Sequence, residues 1–288
     1  MYCPTYPKEN AFGILFLFIC VVYWDKYKIS WGRETMTYRR LPLEGAKNVR
    51  DLGGYPVPGG VTRFKRFIRS ASPRGLTGGD LEFIKSYGVT VSIDFRGDNE
   101  VERHPSRFED VPWINYVRCP TFDRQLAFAA GIVAADGRPS INAFVDWGEK
   151  YISLLENGKN WVRDTLRVMA GAQGAVIFNC TTGKDRAGVM SALLLSLAGA
   201  CDADIIADYC VSELYLTEIY EELLAEYRIR RPDEKGSIDS PFFRTSRRNM
   251  ATLLDYLNGR CGGAGNYIKE CGVDDRDIAI LRERLVGD

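Results

Sequence analysis

Short apolar runs alternate with amphipathic stretches along most of the chain. Residues 175–178 are all apolar and, with residues 89–95, read as core strands, and residues 113–118 alternate like a third. Residues 64–69 read as a strand that follows a turn at Pro58-Gly59-Gly60. Between these runs the spacing changes to three and four. Residues 77–87 predict a helix capped by Thr77, with Leu81 and Ile84 on one face and Gly88 as its stop. Residues 141–156, with Phe144, Trp147, Tyr151, Leu154 and Leu155, and residues 161–170 predict two amphipathic helices whose aromatics are most simply core. Residues 100–107 read as a short charged helix ended by Pro105, with His104 a surface histidine rather than a base. A helical run covers 189–197, one or two helices fit 202–225, and closing helices over 247–285 break at Cys261-Gly262-Gly263-Ala264-Gly265. Strands interleaved with helices predict an α/β fold: a central, mostly parallel sheet flanked by helices.

Three stretches stand apart. Residues 48–58, dense in Gly, Asp and Pro, read as an ordered loop, and residues 121–139 carry no assignment. Residues 228–241 are the most charged stretch and read as a solvated linker, with a basic, aromatic phosphate-greeting loop as the lesser alternative. Residues 11–24 are almost unbroken apolar, yet at about fourteen residues they fall short of the roughly twenty needed to span a bilayer. Little early positive charge and no small-residue cleavage site argue against a signal peptide. Gly32-Arg33-Glu34 can be encoded by purine-rich codons like those of a bacterial ribosome-binding site, with Met36 at a suitable distance. The expectation is a leader, signal or mis-assigned start over 1–35 and a single catalytic domain over 36–288. A cytoplasmic location follows, with secretion or membrane association as the alternative if residues 11–24 are retained.

Composition narrows the partners. Thirty-eight basic residues balance thirty-eight acidic ones, so no global field recruits nucleic acid or an anionic membrane. Eight cysteines without a CxxC, beside a single histidine, suggest a reducing compartment and neither metal nor cofactor.

The chemistry concentrates at residues 175–188, where the strand AVIF leads through Asn179 into Cys180-Thr181-Thr182-Gly183-Lys184-Asp185-Arg186-Ala187-Gly188. A tight segment from strand end to helix start can turn its N–H groups around a tetrahedral oxyanion, aided by the helix dipole and the fork of Arg186. The same field favours a negative sulfur, so Cys180 is expected to ionise below the free-thiol value of about 8.5 and act as nucleophile. A Walker-type nucleotide loop does not fit, because Phe178 stands at the required upstream glycine and Asp185 where Ser or Thr holds magnesium.

This Cys-x5-Arg loop resembles that of cysteine-dependent tyrosine phosphatases, and its Gly-Lys-Asp-Arg interior resembles the bacterial branch directed at proteins and lipids. Residues 48–55, Arg69-Ser70-Ala71, residues 91–96 with Glu100, and Ile206-Ala207-Asp208-Tyr209 agree in order, so the resemblance runs from about residue 43 to the C-terminus. It implies a tyrosine phosphatase-like fold with a helical lid and C-terminal helices. It also implies hydrolysis of phosphotyrosine through a phosphocysteine, with phosphoserine, phosphothreonine or phosphoinositide monoesters as further substrates. Cys180, Arg186 and Asp185 would be catalytic. Thr181, Thr182, Gly183, Lys184, Ala187 and Gly188 would bind substrate, with Lys184 a second charge at the rim. Asp94 and Asp123 rival Asp185 as proton donor. Asp94 and Arg96 either support the cradle or tie down their own loop, and Arg50 and Asp51 either support it or form a surface pair. Two departures from the family pattern stand out: Asn179 replaces the usual His before the nucleophile, and Ala187 replaces the usual Thr or Ser after the arginine. Loss of that hydroxyl predicts slower breakdown of the intermediate. The other class of function is a phosphate-binding pseudophosphatase, which retention of Cys180, Asp185 and Arg186 together argues against.

Overall fold

The strands, in chain order, are β1 (Arg50–Asp51), β2 (Pro56–Val57), β3 (Gly60–Val61), β4 (Phe67–Ser70), β5 (Val89–Asp94), β6 (Asn115–Arg118) and β7 (Ala175–Asn179). In the computed structural model, which describes residues 39–121 and 146–286 apart from 231, 233–235, 238 and 241, the main sheet has the order β1-β4-β7-β5-β6. Strands β4, β7, β5 and β6 are parallel and β1 closes one edge antiparallel, while β2 and β3 form a separate hairpin. Every residue of the central strand β7 is buried, which is why it reads as a continuous apolar run. Its side chains alternate between two cores. Val176 and Phe178 face one and Ala175 and Ile177 the other, as a period of two requires.

The helices are α1 (Gly78–Tyr87), α2 (Asp98–Arg103), α3 (Trp147–Asn157), α4 (Lys159–Gly171), α5 (Arg186–Ala198), α6 (Asp202–Val211), α7 (Thr217–Arg230), α8 (Arg247–Arg260), α9 (Ala264–Glu270) and α10 (Asp275–Val286). Ile84 of α1 packs with Val89, Ile177 and Phe108 on one face, and helices α3 to α6 and α8 to α10 supply the larger core on the other. Thr77 and Asp80 complete a capping box on α1, and Gly88 ends it in the left-handed region at φ 91°.

Several boundaries differ from the pattern's expectation. The charged helix starts earlier, at Asp98, because the Glu100 carboxylate accepts the Gly97 N–H, and it stops before Pro105. Helix α3 starts at Trp147 behind its Asp146 cap, whereas α5 opens at Arg186 as the loop-to-helix reading expects. Residues 141–145 lie outside the described residues, as do 1–38 and Asp123. The solvated linker read over 228–241 is corrected at both ends: 228–230 belong to α7, and Ser240 is 6% exposed, beside Phe243, which packs on Tyr220. Among the described residues no helix is long and apolar enough to cross a membrane, and the cysteines are free thiols.

Candidate active site

Strands β4, β5 and β7 end in register at Ser70, Asp94 and Asn179, so their C-terminal edge presents one platform. Residues 180–186 wrap over it into α5, and four successive carbonyls of that loop are held from outside. Ser72 N donates to Thr181 O at 3.1 Å, and Asn48 Nδ2 to Thr182 O at 3.0 Å. The Arg69 guanidinium donates to Gly183 O at 2.6 Å and Lys184 O at 3.1 Å. A trans peptide points its N–H opposite its C=O, so these contacts turn the N–H groups of residues 182–185 to the inner side. The N–H of Lys184 also meets Thr182 Oγ1 at 3.3 Å. The first turn of α5 adds its own N–H groups and the positive end of the helix. Gly183 makes the bend possible: its φ is +69°, and a Cβ there would lie 2.5 Å from the Ser70 carbonyl.

Cys180 opens this loop and is 1% exposed, close enough to Arg186 and Lys184 for a negative sulfur to favour their charges. Arg186 is aimed by Glu100, which accepts from its NH1 and NH2 nitrogens at 2.7 Å each. NH1 also reaches Phe95 O at 3.2 Å, and Thr181 Oγ1 donates to the same carboxylate. Glu100 takes the two terminal nitrogens end-on, and NH2 also donates to Thr181 Oγ1 at 3.2 Å, so an oxyanion that used NH2 together with Nε would exchange with that hydroxyl. Burial opposes the charge on Glu100, yet Arg186 and the hydrogen bonds of Thr181 and Gly97 outweigh it and bring its pKa down to about 2. Burial likewise opposes the Arg186 charge, which Glu100 and Cys180 more than restore.

This geometry coincides with a sequence relationship, for the profile of the tyrosine phosphatase family matches residues 41–287. The chain belongs to that family. It is similar to a tyrosine-protein phosphatase of Nostoc commune, 29% identical over 233 residues that cover 76% of this chain and 74% of that one. It is also similar to the triple specificity protein phosphatase PtpB of Mycobacterium tuberculosis, 24% identical in an alignment of 295 positions that takes in 88% of this chain and all of that one. The chain is accordingly a phosphoric monoester hydrolase that acts on phosphorylated substrates.

Within this phosphatase the remaining candidates separate. Asp185 stands at the mouth of the loop, its side chain 15% exposed, with Oδ1 accepting from the Tyr151 hydroxyl at 2.5 Å. Asp94 is wholly buried and fully engaged. It accepts from Arg96 Nε and NH2, from Tyr116 OH at 2.9 Å and from Asn179 Nδ2 at 3.1 Å. A carboxylate so occupied offers no oxygen to a leaving group. Arg96 continues to Ser72 Oγ and the His104 carbonyl, and so braces the same Ser72 that holds Thr181. Asn179, where the family pattern has His, spends its amide on Asp94.

Arg50 and Asp51 are both buried and diverge rather than pairing at the surface. Asp51 accepts from Gly53 N, Lys65 N and Tyr87 OH, which orders its own loop. Arg50 binds Asp208 at 2.7 Å, and Asp208 also binds Arg69 at 2.5 Å and Tyr55 OH at 2.9 Å. Asp208 therefore fixes Arg69, and Arg69 fixes the loop. Burial opposes the Asp208 charge, but the two guanidiniums hold its carboxyl below the ordinary range. The rim position expected for Lys184 is corrected. Its side chain is 2% exposed, and its ammonium donates to Phe242 O at 2.6 Å among the rings of Trp147, Tyr220 and Phe242. Burial lowers its pKa, against the pull of Asp185 and Cys180. Ala187 is wholly buried, and Gly188 leaves room for Arg69 NH2, which a Cβ would approach to 3.2 Å.

Sequence reasoning did not single out Glu100, Arg69 or Asp208 as site residues. Their signal was the resemblance itself, since all three stand in the motifs that carry it, but nothing local in the sequence says what each one binds.

Proposed function

We propose that this phosphatase hydrolyses phosphotyrosine through a phosphocysteine on Cys180, and that phosphoserine, phosphothreonine and phosphoinositide monoesters are further substrates. The observation that carries the reading is the outward pinning of the carbonyls of Thr181, Thr182, Gly183 and Lys184 in the loop that begins at Cys180. A phosphoryl group spreads negative charge over its equatorial oxygens in the transition state, and fixed N–H groups meet that charge without reorganising. The Nε side of Arg186 takes two of those oxygens. Sulfur attacks in line, the S–P bond forms as the ester P–O bond breaks, and Asp185 gives the leaving oxygen its proton. Water then attacks phosphorus, returns a proton to Asp185 and releases the thiolate. Breadth of substrate is supported by the mycobacterial relative, which is named a triple specificity phosphatase.

Rapid quench with p-nitrophenyl phosphate tests this. The expected result is a burst of nitrophenolate stoichiometric with enzyme, followed by slower turnover, with both lost in Cys180→Ser. Turnover that survives Cys180→Ser would overturn the mechanism. Tight binding of phosphopeptide by wild type without phosphate release would make the chain a binder instead. A panel of phosphopeptides and phosphoinositides on wild type then ranks the substrate classes.

A further inference from the structure

Asp185 occupies the N-cap of α5, yet its side chain makes no capping bond to that helix. An N-cap aspartate ordinarily accepts an N–H of its own first turn. Here the carboxyl is turned toward three other helices. The hydroxyl of Tyr151, on α3, lies 2.5 Å from Asp185 Oδ1. The hydroxyl of Tyr209, on α6, lies 2.8 Å from that of Tyr151, and Asn249 Nδ2, on α8, lies 3.4 Å from that of Tyr209.

The direction of this chain follows from its ends. An amide nitrogen only donates, and Asp185 Oδ1 accepts from the Tyr151 hydroxyl. The protons therefore all point one way, from Asn249 to Tyr209 to Tyr151 to Asp185, and each bond polarises the next. Both rings are held fast. Tyr151 is 0% and Tyr209 1% exposed, they meet edge-on with centroids 6.0 Å apart, and Trp147 packs against Tyr151 at 6.2 Å. A phenol fixed this way places its proton at one point in space.

We infer that Tyr151 is the positioning residue of the proton-transfer step, pinning Asp185 Oδ1 so that Oδ2 is the oxygen that serves the leaving group. The inference rests on the reading of Asp185 as general acid. In the first half-reaction the ester P–O bond breaks as the S–P bond forms, and the proton on Oδ2 passes to the leaving oxygen. The carboxylate left behind accepts from Tyr151, which keeps its own proton. In the second half-reaction Oδ2 takes a proton from the attacking water as the S–P bond breaks, and the cycle closes. The groups that face this carboxyl are Lys184 and Arg186 from its own segment, Tyr151 from α3, Tyr209 from α6 and Tyr220 from α7. Burial, reinforced by the Asp185 charge, raises both Tyr151 and Tyr209 above the usual phenol value, so each remains a neutral donor.

The test is a leaving-group comparison in Tyr151→Phe, Tyr209→Phe and Asp185→Asn, reading kcat/KM on p-nitrophenyl phosphate and on phenyl phosphate. A nitrophenolate departs without a proton and a phenolate does so poorly, so loss of positioned acid falls on the second substrate. For Tyr151→Phe, which keeps the ring packing, the expected loss is about tenfold to hundredfold on phenyl phosphate and under about threefold on p-nitrophenyl phosphate. Tyr209→Phe should show the same selectivity with a smaller loss, and it carries the test if Tyr151→Phe does not fold. Asp185→Asn should be selective and more severe. Equal losses on both substrates in Tyr151→Phe, or no loss on either, beside a selective Asp185→Asn would overturn the role of Tyr151 and leave Asp185 as the acid. A non-selective Asp185→Asn would overturn the assignment of the acid and the positioning role with it.

Discussion

Ala187 lies one position past the arginine, wholly buried at the start of α5, where the family pattern has a hydroxyl. On the proposed phosphocysteine mechanism, a hydroxyl there would donate to the sulfur anion and make it a better leaving group from phosphorus. A hydrogen bond to a charged group is worth about 1.5–3 kcal/mol, so Ala187→Ser should speed breakdown of the intermediate about tenfold or more. Rapid quench would show the burst shrinking as steady-state turnover rises, and an unchanged burst would refute the argument. That residues 180–186 form a loop between a strand end and a helix start was legible, because an apolar run, a Gly-bearing segment and a second apolar run follow one another within a few residues. Glu100, Tyr151 and the buried course of Lys184 were not. Each depends on partners 34 to 86 positions away in sequence, and no local period encodes such a pairing.

The loop's curvature belongs to the elements around it. Arg69 on β4 holds two of its carbonyls, and β4 itself passes so close to Gly183 that any side chain there meets the Ser70 backbone. For Gly183→Ala the left-handed φ costs about 1 kcal/mol and the contact with main chain adds to it. Because the loop lies at the sheet edge, it should shift outward while the fold survives. The expected outcome is a loss of kcat/KM of more than about tenfold, with a urea midpoint that moves little, because carbonyls displaced from Arg69 no longer turn their N–H groups inward. Full activity in that variant would mean the carbonyl contacts do not shape the cradle. The elements themselves were largely legible. β7 announced itself by being buried on both faces, and α1 by its cap and its glycine stop. The two-residue strands β1, β2 and β3 escaped because they are too short for any alternation to register.

Charge binds the catalytic loop to the stability of the chain. Asp208 and Glu100 both hold carboxyls below their ordinary range, as do Asp80 and Glu213, whereas burial raises Asp51. A carboxyl whose folded pKa is depressed contributes stability that is fully present above its unfolded value, about 4, and is lost as pH falls through the folded value. For Glu100 that window runs down to about 2. For Asp208 the loss continues through the whole accessible acid range. Asp51 works in the opposite sense, since its raised value costs stability at neutral pH and relieves it in acid, but it stands alone against the others. Stability should therefore fall steadily below about pH 4. Asp208→Asn should lower it at about pH 7 by about 3–5 kcal/mol, because Arg50 and Arg69 are left buried without their shared carboxylate. The same variant should also lose part of the acid slope. Urea melts of wild type and Asp208→Asn at about pH 7 and about pH 3 decide it: a gap that narrows in acid supports the assignment, and parallel values would sink it. Arg69 links that gap to function, since the guanidinium that Asp208 steadies is the one that holds Gly183 and Lys184. Activity of Asp208→Asn at neutral pH should accordingly fall further than the fraction of folded protein does.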